Sequence, residues 1–271
     1  EKAMTWSRRL DIDHDIFLHD HTTGDVPLFL GSTGVETMAE AATALAGKDR
    51  YLARLENFQI PYGIKLLKKR PKDLLISGRT REDGSVDCDI TSVFKNPKGQ
   101  VMGGPKLHYQ GRFTFAAKPL SPRKIQLPVF NEINWDGDFD SLVYDPKRLF
   151  MFGLFGTITD INSFDGKRLV TTVNDLSDKD FFKGVANPRF TAAPVLVDAM
   201  FQTGGLLEFF TTSRTVLPYR IRRMQFFKAV ARKTPYYCIT EKKASGDETN
   251  TYDLTLVDPQ GRVYIEIRDF E

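Results

Sequence analysis

The chain has 271 residues, enough for one or two domains with a sizeable core. Its 41% hydrophobic and 27% charged content is that of an ordinary globular protein, and a net charge of +3 with no basic stripe interleaved with aromatics argues against nucleic acid as a partner. No apolar run approaches the roughly 20 residues that span a bilayer, and no signal-peptide segment is recognisable, so no membrane is expected as a partner and the cytoplasm is the expected compartment. The chain starts and stops without tails, as a piece cut from a longer polypeptide would. Cys88 and Cys238 sit in strand-like runs and form no metal or redox motif; two buried thiols are the simpler reading, with a disulfide left open. Phenylalanine is frequent, at 21 residues, which points to broad apolar interiors or an apolar ligand channel.

In chain order, residues 1–19 read as extended, apolar and polar positions alternating through Leu10, Ile12, Ile16 and Leu18. His21 follows, a Gly24–Asp25 turn and Pro27 lead to Gly31, and Val35, Met38, Ala39, Ala42 and Leu45 then recur at helical spacing from about Ser32 to a terminating Gly47. Strands are expected over 55–67, 73–81, 86–94 and 108–117, with turns at Asp83–Gly84 and Asn96–Gly99. Lys118 to Trp135 holds three prolines and no clear period, and reads as a linker. Then the order repeats: strands over 149–161 and 168–173, a polar loop over 177–194, a helix over 195–210, and strands over 219–230, 236–243, 251–257 and 262–268.

The two halves echo each other beyond element order. Phe58–Gln59, a basic stretch Lys65–Pro71, a strand and the turn Asn96–Gly99 are answered by Met224–Gln225, a basic stretch Lys228–Pro235, a strand and the turn Asp258–Gly261. One helix before a run of antiparallel strands, twice, predicts an α+β duplication with each sheet curled around one apolar helix and the sheets side by side. The boundaries fall at 1–118 for the first half, 119–140 for the linker and 141–271 for the second.

Two placements carry chemistry. His21 precedes the first helix, so an imidazole lies near free N–H groups that favour developing negative charge, which suits chemistry beside a carbonyl. In the second helix Asp198 and Gln202 fall on one face at i, i+4, and Asp198 stands among Val195, Leu196, Val197, Met200 and Phe201, where an unpaired carboxylate is costly. Alone, His21 reads as a hydrogen-bonded histidine at a strand end; the second helix tips the balance to catalysis. His19 and His21 share one face of an extended segment, with Asp11, Asp13, His14, Asp20 and His108 as further donors, but solvated acids are the commoner use and no metal is expected.

These residues resemble the double-hotdog dehydratase domains of polyketide and polyunsaturated fatty acid synthases. The family's first motif runs His, three residues, Gly, four residues, Pro, then usually Gly. His21 and Gly31 match, Pro27 falls where many members also carry proline, and Asp25 and Leu30 replace the motif glycine and proline. The second motif, Asp-x-x-x-Gln or His within an apolar helix, is matched by Asp198 and Gln202. The run 149–155 resembles a degraded Leu-Phe-His-Gly-Pro-x-Phe segment, and the tyrosine motif near it is not recognisable. The likeness covers essentially the whole chain in element order.

The resemblance implies a double hotdog in which His21 and Asp198 meet across the interface between halves. It implies a lyase embedded in a synthase, with no cofactor of its own: the substrate is a 3-hydroxyacyl thioester on the phosphopantetheine arm of an acyl carrier protein, and loss of water gives the 2-enoyl thioester. Neighbouring synthase domains are further implied partners, and a second copy of the chain is another candidate. His21 is then the base for the α-proton, the Gly31 N–H a donor to the thioester oxygen, and a protonated Asp198 the acid that assists departure of hydroxide. Gln202 orients Asp198, and Pro27 and Leu30 shape the approach of the substrate. The Phe152–Gly153 region and Phe181–Phe182 either pack a core or line an acyl tunnel. The basic clusters Lys65–Lys72 and Arg220–Arg223 with Lys228 are solvated strand faces by default, or a receiving surface for an acidic carrier. One rival is a double hotdog that uses the same pair for isomerisation or cyclisation. Another is a degenerate hotdog serving dimerisation or carrier docking, which Asp25, Leu30 and the missing tyrosine motif keep in play.

Overall fold

The computed structural model describes residues 2–96, 98, 100–131, 133, 138–145, 151, 153–176, 180–227, 235–246 and 248–271. Part of the Asn96–Gly99 turn, Trp135, positions 149, 150 and 152 of the degraded run, Ser177, and all of the basic stretch from Lys228 short of Pro235 lie outside them.

The first half contains β1 (Ala3–Leu10), β2 (Thr22–Thr23), β3 (Val26–Phe29), α1 (Gly31–Ala46), β4 (Tyr51–Gln59), β5 (Ile64–Lys65), β6 (Lys72–Thr80), β7 (Val86–Lys95) and β8 (Val101–Ala116). The second contains α2 (Phe139–Val143), β9 (Ile158–Phe164), β10 (Arg168–Val173), α3 (Pro194–Thr212), β11 (Arg220–Phe226), β12 (Tyr236–Ser245), β13 (Asn250–Val257) and β14 (Val263–Phe270). Eleven of these strands form one sheet in the order β1-β6-β7-β8-β4-β11-β14-β13-β12-β10-β9, every pairing antiparallel. At its centre the repeated strand pairs with its own copy: in β4 and β11, Leu55 lies opposite Met224 and Phe58 opposite Ile221. Helix α1 packs on β6, β7 and β8, α3 packs on β10, β12 and β13, and the two helices touch. This is the double hotdog, and it seats one helix from each half against the other at the join.

Both helices are wrapped because their faces are apolar and locally small. In α1, Val35, Met38, Ala39 and Ala42 are fully buried, and a side chain at Gly34 would stand 2.8 Å from the Tyr109 ring. Gly47, at φ +102°, ends the helix as its position suggested. Helix α3 begins with Pro194, whose fixed φ suits a first turn, and is buried from Pro194 through Gly204. Cys88 and Cys238 are buried free thiols.

Three expected strands are corrected. The extended reading of 1–19 ends at Leu10, because Asp15 accepts the Asp11 N–H (2.9 Å) and donates its own N–H to the Asp11 carbonyl (2.7 Å), turning the chain into a 3₁₀ helix at Ile16–His19. The strand over 55–67 is two pieces, β4 and the two-residue β5, split at Ile60–Gly63 where Pro61 has no N–H to give a ladder. Of the strand expected over 149–161, the described residues are strand only from Ile158; Met151 makes an isolated bridge, and Gly153 at φ +48° opens a 3₁₀ turn, Gly153–Phe155.

Candidate active site

The site is built from three pieces of chain. The first is the hairpin β2–β3, which carries His21 at its base. His21 is buried, and its Nδ1 lies 3.1 Å from the Leu28 carbonyl across the hairpin. A carbonyl only accepts, so Nδ1 carries the hydrogen and the neutral ring keeps Nε2 as its basic nitrogen. Burial lowers the imidazole to about 4, against the Leu28 bond, which raises it. Gly24, at φ +60°, turns the hairpin one position before Asp25, which is exposed. Pro27 is buried opposite Thr22.

The second piece is the start of α1. Leu30 is its buried N-cap, Gly31 its first residue, and the N–H groups of a first turn have no acceptor within the helix. A side chain on Gly31 would meet Ile60 Cδ1 at 2.9 Å and Phe201 at 3.7 Å, so glycine lets the second half approach this backbone. Ser32 then reaches across the join: its Oγ donates to Asp198 Oδ1 at 2.9 Å.

The third is α3. Gln202 Nε2 donates to Asp198 Oδ2 (2.7 Å) and to the Phe155 carbonyl (2.8 Å). Asp198 is 1% exposed, and burial raises it to about 6, offset in part by the bonds from Gln202 and Ser32. Gln202 Oε1 is buried with no partner among the described residues, an acceptor left for a donor to fill.

The segment 151–155 brings His21 to this junction. Met151 forms a β-bridge with His21, the Leu154 N–H donates to the Asp20 carboxylate (2.9 Å), and Phe155 receives Gln202. A side chain at Gly153 would stand 2.5 Å from the Asp20 carboxylate, so only glycine permits this contact. Gly31, Asp198 and Gln202 therefore stand where α1 and α3 pack together, and Met151, Leu154 and Phe155 lead from there to His21 and Asp20.

Sequence reasoning missed Ser32 and Glu36. They stand at i, i+4 on α1, and the Glu36 carboxylate accepts the N–H groups of Thr191 and Ala192 (2.6 Å each), holding the chain that enters α3. Burial raises Glu36 to about 8, although both N–H bonds lower it. The available signal was the one that marked Asp198: a carboxylate inside an apolar helix. The other expected features do not join the site. His19 Nε2 faces the Ile12 carbonyl (3.1 Å) on the surface, and His108 contacts Ser92 Oγ (2.7 Å). Phe181 is closed into an aromatic cluster with Phe17, Phe155 and Phe190, which is core packing. Arg220 and Arg222 are paired with Glu271 and Asp269, whereas Lys65 of β5 and Lys68, Lys69 and Arg70 just after it stand exposed, next to β3 through the Leu28–Lys65 pairing.

Comparison with known proteins agrees with this architecture. Residues 153–271 match the family model described as the polyketide synthase dehydratase N-terminal domain. No curated protein matches the sequence. Among solved structures, the dehydratase domain of the CurF module of curacin polyketide synthase superposes with a TM-score of 0.78 at 17% identity, over 100% of this chain and 93% of that one. A dehydratase domain of a trans-AT polyketide synthase from Brevibacillus brevis gives 0.80 at 17% identity, over 99% and 92%. Two inactive variants of the CurK dehydratase, one with histidine changed to phenylalanine and one with aspartate changed to asparagine, give 0.77 and 0.75 at 18% and 16% identity, over 100% of this chain and 92% and 93% of theirs. The chain is a double hotdog. Residues 153–271, which include Asp198 and Gln202, are similar to the polyketide synthase dehydratase family through that model match.

Proposed function

We propose that this domain removes water from a 3-hydroxyacyl thioester within a polyketide synthase, with His21 as base and Asp198 as acid. The observation that supports the reading is a buried imidazole, its Nδ1 bonded to the Leu28 carbonyl so that Nε2 is free to act as base, linked through Met151, Leu154 and Phe155 to a carboxyl group that burial raises. His21 Nε2 takes the α-proton, the first-turn N–H of Gly31 receives the charge that grows on the thioester oxygen, and protonated Asp198 gives its proton to the departing hydroxyl. The proton lost to His21 and the one given by Asp198 balance, and water leaves. Gln202 holds Asp198 through Nε2, and its unpartnered Oε1 accepts from the substrate hydroxyl. Pro27 and Leu30 set the path of the chain beside Gly31. Loss of activity in the histidine and aspartate variants of the CurK domain fits these roles.

No cofactor is required by this chemistry; the phosphopantetheine arm of an acyl carrier protein delivers the substrate. The exposed lysines at 65–69 and Arg70, one strand from the hydrogen-bond acceptor of His21, suit an acidic carrier surface better than the ion-paired arginines of β11. Incubating the purified domain with a short 3-hydroxyacyl pantetheine thioester, and following the mass of the product, tests the reading. Loss of one water to give the 2-enoyl thioester is expected. Folded protein that leaves the substrate unchanged would favour the degenerate docking module.

A further inference from the structure

His21 and Asp198 are linked through one short segment, and a side chain next to α2 holds the far end of it. Met151 bridges His21, and the Phe155 carbonyl takes the Gln202 amide that also holds Asp198. Behind Phe155 the chain is tied closely: the Gly156 N–H donates to the Gly153 carbonyl (3.1 Å), and the Thr157 carbonyl accepts the Asn174 N–H (2.9 Å). Ile158 then begins β9, the edge strand of the sheet, and is 1% exposed. A residue in an antiparallel strand points its N–H and C=O to the same side, and at a sheet edge one side has no neighbouring strand. Tyr144, the C-cap of α2, meets both groups with one atom. Its hydroxyl oxygen accepts the Ile158 N–H (2.6 Å), and the hydroxyl donates to the Ile158 carbonyl (2.9 Å). Burial, and after it the carboxylates of Asp140 and Asp198, raise the phenol, so it keeps the hydrogen it donates.

We infer that Tyr144 is a positioning residue for the acid: its hydroxyl fixes Ile158 and, through the turn before it, the Phe155 carbonyl that orients Gln202 against Asp198. Without the hydroxyl, the N–H and C=O of Ile158 are buried without partners, and the chain must move to reach others or water. The Phe155 carbonyl moves with it, and the Gln202 amide then no longer points one hydrogen at each of its two acceptors. A phenol that only closed the sheet edge would lower stability on removal and leave Asp198 unaffected. The inference rests on the dehydratase reading for the role of Asp198, but its test follows the titration of that carboxyl group and needs no turnover.

Tyr144→Phe keeps the ring and removes only the hydroxyl. Aspartate side chains labelled with carbon-13 are titrated by NMR, the Asp198 signal being assigned by its loss in Asp198→Asn. In Tyr144→Phe the Asp198 titration is expected to move upward by about half a pH unit, because the Gln202 bond favours the ionised form. In Gln202→Met, where that bond is gone, adding Tyr144→Phe is expected to move it no further. The reverse measurement leaves Tyr144 intact. Coupling is reciprocal, so Gln202→Met alone should speed hydrogen exchange at the Ile158 amide about tenfold and leave the Leu169 amide of β10 unchanged. An Asp198 titration untouched by Tyr144→Phe, an equal shift with and without Gln202, or unchanged exchange at Ile158 overturns the inference. The expected shifts in a domain that never releases water would keep Tyr144 in this role and defeat the dehydratase reading.

Discussion

His21 and Asp198 are both buried but are held in opposite ways. The imidazole is fixed by Leu28, seven residues along its own hairpin, whereas the carboxyl group is gripped by Ser32, 166 residues away in the other half, together with Gln202 one turn on. The same desolvation moves them in opposite directions, the histidine down to about 4 and the aspartate up to about 6, because burial penalises whichever form is charged. It thus keeps the base neutral and favours the protonated acid. The histidine ring is held within its own hairpin; the acid is held by side chains from both halves.

That contrast is broken most severely at the base. His21→Ala is expected to lower turnover by about 10²–10⁴-fold while the melting temperature stays near that of the unaltered protein, since the hairpin ladder does not use the ring. A folded variant with full turnover would remove His21 from the chemistry. The docking of the halves comes next. Glu36→Ala leaves the Thr191 and Ala192 N–H groups without their acceptor, and should cost about 2–4 kcal/mol in denaturant unfolding. Glu36 also sets a pH dependence. Its folded pKa lies above its usual 4.5, so the native state binds the proton more tightly, and stability falls as pH rises from about 4.5 through 8. The alanine variant should lack that part of the slope, and an unchanged slope would relocate it.

A smaller effect is expected at Ser32. Ser32→Ala removes the only grip on Asp198 that comes from the first half among the described residues, and should reduce kcat/KM by about tenfold in steady-state assays, with KM nearly unchanged. The smallest concerns the exposed turn. Asp25→Gly restores the family's residue, yet Gly24 already supplies the left-handed backbone there, so activity should change by less than about twofold. A large gain would mean that Asp25 impairs the site.

Much of this arrangement was legible beforehand, for physical reasons. Both long helices were placed to within two residues, because a 3.6-residue apolar period ends cleanly at Gly47 and begins at Pro194. Asp198 and Gln202 stood out because a carboxylate in an apolar helix needs partners. The turn at Ile16–His19 was hidden, since the alternation through Ile16 and Leu18 fits a strand as well as a 3₁₀ turn that buries Phe17 and Leu18. The bonds from Ser32 to Asp198 and from Glu36 to Ala192 join residues more than 150 positions apart, and no local pattern encodes such a meeting.

The division of labour between a neutral imidazole and a protonated carboxyl group is tested most directly by the pH profile of kcat/KM for water loss, measured for the unaltered domain and for Ser32→Ala. A bell is predicted: activity lost below about 4 as His21 protonates, and lost above about 6 as Asp198 ionises. Removing the Ser32 bond, which favours the ionised carboxylate, should move only the alkaline limb, upward by about one pH unit. An alkaline limb at the same pH in both proteins, or a shift confined to the acid limb, would contradict the assignment of Asp198 as the acid.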